Sequence, residues 1–381
     1  MQLQNHLRLL EVVSSKMTKF AIINFFPVVP TNMGSAEVVL SFFSCISQSK
    51  KIFQISHLKK INNKEIKTFF IKKENSFLKI INIPFLILDV IKYLSGTKKP
   101  VAIIEGPSWI GYSFFSIILL KIFLNKCLII YHSHSIEYEI RKENSNFIIA
   151  YLTKHLEKMV YKICDISTSV SQIEKRRLKK LYGVDTLLVP NGVSIKRLRI
   201  RKGVRLVKGK YIIYPGSYSY KPNKIAIDIL TEKILPSLNL NFPDLKLVLT
   251  GGGYDTQKKN IINLGIVPKQ SLVRLIKDSE FLCLPIQSGS GTRIKIIEAL
   301  ILGKIIITTT KGIEGIGYAL NKNPPFVENN LNKFVKICTQ VLQNKKNFES
   351  ISKKHSKFFE KNYGMENISK RFINTILKKT I

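Results

Sequence analysis

Short, nearly continuous apolar runs alternate along this chain with longer segments of helical spacing, and that alternation restricts the fold to parallel sheets built from β-α-β units. A run that is apolar on both of its alternating faces belongs to a strand covered by helices on either side. Such runs occupy residues 20–25, 52–56, 101–105, 127–131 and 166–170 in the first half, and 211–214, 245–250, 281–285 and 304–309 in the second. The pattern is therefore complete twice. Between the halves stands the turn Pro190-Asn191-Gly192-Val193, followed by a stretch from 196 to 210 in which eight of fifteen residues are basic. A basic run of this kind is usually a solvated face or linker. At 381 residues the chain exceeds what one hydrophobic core serves, and its 45% hydrophobic content fills two. The expected organisation is an N-terminal extension over 1–16, a first α/β domain over 17–195, a basic linker over 196–210, a second α/β domain over 211–355, and a closing helical stretch over 356–381.

The segment from 288 to 316, SGSGTRIKIIEALILGKIIITTTKGIEGI, sets one carboxylate where an ordinary core helix does not tolerate it. Ile294, Ile297 and Ile301 recur at helical spacing and Gly303 supplies a stop. Glu298 falls on that stripe, beyond reach of a capping box or the helix dipole. It needs a buried polar partner. The loop Gly289-Ser290-Gly291-Thr292 ahead of the helix exposes backbone N–H groups of the kind that attract phosphate. Two partners stay open for Glu298: the ribose diol of a nucleotide whose diphosphate rests on that loop, or a Lys or Arg from a neighbouring element.

Ligands of open parallel sheets bind beyond the carboxyl ends of the strands. The first strand runs into Gly34-Ser35, which suits a phosphate or sugar and equally a plain turn. The run at 127–131 delivers His132, Ser133 and His134, where an imidazole serves as a hydrogen-bonding or acid/base group. His134, past the strand, is the better placed, while His132 packs or caps locally. Glu137 and Arg141 are four apart and read as a helix-surface pair. The run at 211–214 ends in PGSYSYKPN, with Gly216 and Ser217 at the turn and Lys221 and Lys224 in reach of a phosphate. The run at 245–250 ends in Gly251-Gly252-Gly253, which permits close backbone approach by a ligand or makes a flexible turn.

The formal charge of +36, from 61 Lys plus Arg against 25 Asp plus Glu, implies attraction to polyanions: nucleic acid, an anionic membrane face or phosphorylated substrates. Cys45, Cys127, Cys164, Cys283 and Cys338 are scattered without a CxxC or Cys/His cluster, and read as buried free thiols of a reducing compartment rather than metal ligands. The longest apolar run, 109–120, is too short to span a bilayer of roughly 30 Å. A cytoplasmic protein, soluble or peripheral on the inner membrane face, is expected.

Taken in order, Gly34-Ser35, HSIE from His134, CDISTSVS from Cys164, VPNGV from Val189, PGSYSYKPN from Pro215, and above all SGSGTRIKIIEAL with KGIEGI, resemble the GT-B-fold retaining glycosyltransferases of glycosyltransferase family 4, from about Lys19 onward. The resemblance implies two doubly wound Rossmann-like domains facing a cleft, with the nucleotide held mostly by the second and the acceptor by the first, and a final helix crossing back to the first. It also implies transfer of a hexose from a nucleotide-sugar, acting as co-substrate with no cofactor and no metal, to a glycan or lipid-linked acceptor. Glu298 matches the family's ribose ligand. The glutamate usual seven residues earlier is Ser290 here, and the Arg and Lys usual after the first strand of the second domain are replaced by Ser217 and Pro222. Charge neutralisation at the diphosphate then falls to Lys221, Arg293 or Lys295, with donor contacts expected from Gly216, Ser217, Gly252, Gly289, Ser290, Gly291 and Thr292, and from His134 as the catalytic candidate. Two rivals stand: a sugar-nucleotide epimerase of the same architecture, and a basic nucleic-acid-binding protein, for which no reading motif is present.

Overall fold

The computed structural model describes residues 18–25, 38–42, 45, 52–55, 76–106, 109–199, 204–255, 258–289, 291–316 and 324–380. The chain divides into two compact units, the first made of Met1–Asn191 with Met365–Ile381 and the second of Gly192–Gly364. The first unit holds β1 (Thr18–Ile23), β2 (Ile52–Ile55), α1 (Ser76–Leu94), β3 (Lys99–Glu105), α2 (Ile110–Phe123), β4 (Leu128–His132), α3 (Glu137–Asn144), α4 (Phe147–Ile163), β5 (Ile166–Ser169), α5 (Gln172–Tyr182) and β6 (Leu187–Leu188). Its strands lie in the order β2-β1-β3-β4-β5-β6, all parallel. Ala21, Ile23, Ala102, Ile104 and Ile129 are completely buried at its centre. Local chemistry places the helices: the Ser171 hydroxyl caps α5 by accepting from the Glu174 N–H at 3.1 Å, and Gly183, at φ 70°, ends it.

The second unit holds α6 (Ile195–Leu198), β7 (Tyr211–Pro215), α7 (Lys221–Ile229), α8 (Leu235–Asn239), β8 (Lys246–Thr250), β9 (Ile261–Asn263), α9 (Lys269–Asp278), β10 (Leu282–Leu284), α10 (Ile294–Ile301), β11 (Ile306–Thr308), β12 (Phe326–Val327), α11 (Leu331–Gln343) and α12 (Lys345–Tyr363). Its parallel sheet has the order β12-β11-β10-β7-β8-β9. The direction of strand progression reverses between β7 and β10, the switch point beyond which ligands of such sheets bind. The corresponding point of the first sheet lies between β1 and β3. The final helix, α13 (Met365–Thr380), belongs to the first unit, where Ile368, Phe372 and Ile376 are buried.

Three strands, β6, β9 and β12, have no counterpart in the apolar runs: each has two or three residues that are mostly half-buried, unlike the equally short but fully buried β10 and β11, so no continuous apolar run marks them. The strand read over 127–131 extends to His132, so that imidazole ends the strand instead of following it. Within the basic stretch, Leu198 and Val207 are buried in the core of the second unit. None of the five cysteines is in a disulfide, but Cys45 and Cys164 are only half-buried.

Candidate functional site

In the second unit, the loops after β7, β8 and β10 converge on the switch point. Gly251, at φ 107°, adopts a backbone that side chains avoid, and a Cβ there would lie 2.5 Å from the Ser217 nitrogen. That closeness lets the Tyr218 N–H donate to the Gly252 carbonyl at 2.9 Å, and the Gly216 N–H to the Thr250 carbonyl at 2.9 Å. The hub of this loop is Asn223. Its Oδ1 accepts from the Tyr214 hydroxyl at 2.9 Å and from Lys295 Nζ at 3.0 Å, while its Nδ2 donates to the Ser217 carbonyl at 2.9 Å. Lys295 Nζ also sits 4.3 Å from the centre of the Tyr214 ring. Desolvation, aided by the charge of Arg293, pushes the Lys295 ammonium down to about 7. A Cβ on Gly216 would come within 2.7 Å of Lys295 Nζ, so the glycine gives this cation its space.

The third loop brings Arg293, whose Nη2 donates to the Ser288 carbonyl at 3.0 Å and whose pKa is lowered by burial. Gly289 abuts both Arg293 and Pro222, and Thr292 Oγ1 is buried without a hydrogen-bond partner. Gly291, at φ 79°, has open space around it. Lys221 is exposed at the start of α7. Ser290, Gly34 and Ser35 lie outside the described residues. One turn into α10, Glu298 is 3% exposed, as its place on the stripe requires, and its Oε1 is ion-paired with Lys269 of α9. The Lys or Arg partner left open by the sequence is thus present, and it orients the carboxylate. Beyond β11, Lys311 and Glu314 of the KGIEGI segment pair at 2.6 Å.

In the first unit, Glu105 ends β3 beside β4, and its Oε2 is shared by two imidazoles: His132 Nδ1 at 2.9 Å and His134 Nε2 at 2.6 Å. Burial alone would raise this carboxyl, but the two histidines bring it down to about 2. Burial lowers the His134 pKa, against the pull of Glu105. With Nε2 turned to Glu105, His134 Nδ1 is buried without a partner, as are Glu105 Oε1 and both side-chain polar atoms of Asn24, just past β1. Buried polar atoms are normally satisfied, so these four stand out as unmet hydrogen-bonding capacity at the switch point. The ligand atoms of Glu105, His132 and His134 lie within 4.8 Å of one another, but their mutual hydrogen bonds already account for them. His132, expected to pack or cap locally, stacks on Phe42 at 4.7 Å and also joins the hydrogen-bonded group around Glu105. Glu137 and Arg141 do form the pair read from their spacing, at 2.8 Å.

Sequence reasoning missed Glu105, Asn24 and Asn223. Glu105 and Asn24 had a signal, a polar residue at or one past a strand's carboxyl end, and Asn223 had one in the first turn of the helix that follows β7.

Residues 209–344 match the family model of glycosyl transferases group 1. The chain resembles that family. The likeness by sequence is carried by the second unit, whose switch-point loops and Glu298 fall inside the matched segment. No curated protein matches the chain. Among solved structures, sucrose-phosphate synthase from Thermosynechococcus elongatus aligns with a TM-score of 0.71 at 12% identity, over 94% of this chain and 99% of that one. HepE of Anabaena, in complex with UDP and glucose, aligns with a TM-score of 0.67 at 12% identity, over 94% and 99%. A glycosyltransferase from Rickettsia africae aligns with a TM-score of 0.65 at 14% identity, over 95% and 98%. At such identities the likeness speaks for the fold, which is GT-B, with two Rossmann-like units.

Proposed function

We propose that this chain is a retaining, metal-independent hexosyltransferase that moves sugar from a nucleotide-sugar to a glycan or lipid-linked acceptor, and that it is cytoplasmic and peripheral to an anionic membrane face. The observation that carries the donor reading is the loop cluster at the β7/β10 switch point, where two cations, Lys295 and Arg293, flank glycine-built backbone one turn ahead of a buried carboxylate. In this reading the diphosphate rests on residues 288–293 and the Gly216 turn, and the ribose diol hydrogen-bonds Glu298. The bond between the anomeric carbon and the diphosphate oxygen breaks, and its electron pair leaves with the diphosphate. Arg293 and Lys295 stabilise that growing charge, while the acceptor hydroxyl forms the new bond to the anomeric carbon and passes its proton to the departing diphosphate oxygen. His134, with its Nδ1 held as an acceptor, and Asn24 meet sugar hydroxyls. HepE, the structural relative solved with UDP and glucose, supports a nucleotide-sugar as the donor class.

Thermal-shift titration across UDP-, GDP- and ADP-sugars tests this, since a ligand that binds only the native form raises the melting temperature. One sugar nucleotide is expected to raise it, and Glu298→Ala to abolish the rise. A parent-like response in Glu298→Ala would remove the ribose assignment. Turnover is expected to survive a chelator, and its loss would return the Glu105, His132 and His134 cluster to the role of a metal site.

A further inference from the structure

We propose that the outward face of α1, α2 and α4 is the surface by which the first unit beds side-on into an anionic lipid bilayer. Most of the large hydrophobic side chains exposed among the described residues lie on these three helices. On α1 they include Phe85 and Leu88, exposed by 65% and 52%, and on α4 Ile148, Leu152 and Met159 form a stripe at helical spacing. Between them packs α2, which touches both neighbours and carries Phe115, Ile122 and Phe123 outward. A helix apolar on its outer as well as its inner side belongs in an apolar medium. None of the described helices is long and apolar enough to cross a membrane, and α2, about 21 Å long, is shorter than the roughly 30 Å hydrocarbon core, so the medium is met in the plane of the interface.

Charge selects the occupant. Lys92, Lys121, Lys158 and Lys162 are exposed along these helices, while their only acids, Asp89 and Glu157, are half-buried and buried. Lys121 is paired with Asp165 at 3.1 Å, which leaves Lys92, Lys158 and Lys162 as the cations rimming the apolar face, and such a rim fits anionic headgroups over an acyl layer. A second copy would set lysines against lysines on chains that each carry +36. The inference rests on the membrane attachment proposed above and not on the transferase reading.

Sedimentation with phosphatidylcholine vesicles, with and without phosphatidylglycerol, is the test. The parent is expected to pellet with the anionic vesicles and far less with the neutral ones. Ile122→Glu and Leu152→Glu should each weaken that binding about tenfold, the cost of withdrawing one large apolar side chain. Lys158→Glu should weaken binding to the anionic vesicles about tenfold while leaving binding to the neutral ones unchanged, and Leu240→Glu in the second unit, at a residue 83% exposed, should change nothing. Melting temperatures and the sugar-nucleotide response, expected to be unchanged in every variant, separate this inference from the transferase reading. No pelleting of the parent would overturn the attachment itself. Equal pelleting of Ile122→Glu and Leu152→Glu, or a dimer in solution that these variants dissociate, would overturn the assignment of this face.

Discussion

Glu105 and Lys295 show how single side chains are tuned by what surrounds them, in opposite directions. Glu105 is held ionised by two imidazoles, and its folded value near 2 lies below the ordinary 4.5. Its contribution to stability, about 3 kcal/mol, is therefore present above pH 4.5 and lost as pH falls towards 2. Acid unfolding of Glu105→Gln followed by circular dichroism should lack that component, and an unchanged profile would show that the carboxylate is not what the histidines stabilise. Lys295 is held at about 7, so its cation fades above neutrality. Nucleotide diphosphate binding should then weaken as pH rises from 6.5 to 8.5, by up to about tenfold per pH unit, with proton uptake visible by calorimetry in buffers of different ionisation heat. Lys295→Met would flatten this dependence. Glu298 was legible in the sequence because an acid on an isoleucine stripe breaks a pattern. Glu105 was not, since an acid closing a strand looks like any surface residue until the neighbouring strand brings histidines to it.

At the scale of elements, the positions of the apolar strands were readable because each is buried on both faces, whereas β6, β9 and β12 owe their place to pairing with those strands and left no pattern of their own. The convergence of three loops was only partly readable. The glycines of 251–253 were visible, but not that Gly251 lies against the backbone of Ser217, a contact between loops more than thirty residues apart. Gly251→Ala should destabilise the second unit by about 2 kcal/mol or more, because a left-handed φ and a 2.5 Å clash with backbone leave no cheap relaxation. It should also weaken sugar-nucleotide binding by displacing the Gly216 turn. Denaturant titration and thermal shift would register the two effects, and parent-like stability would mean that the loops are not packed as described.

For the whole molecule, the segment after Gly364 matters out of proportion to its length. Phe372 of α13 packs on Phe42 at 5.2 Å and on His132 at 6.0 Å, tying the end of the chain to the candidate site of the first unit. Phe372→Ala should cost about 3–4 kcal/mol, confined to the unfolding transition of the first unit. Calorimetry resolving the two units would check this, and a loss shared equally by both would contradict the division. The second unit begins and ends at one spot, where the Val193 N–H donates to the Tyr363 carbonyl at 2.9 Å and Val193 bridges to Gly364. It is thus an insertion between the early strands of its companion and that companion's last helix. On the ribosome the order of emergence follows: the inserted unit has all its residues in hand first, while the first unit's sheet, made earlier, must wait until residues 365–380 have emerged before that helix can cover it.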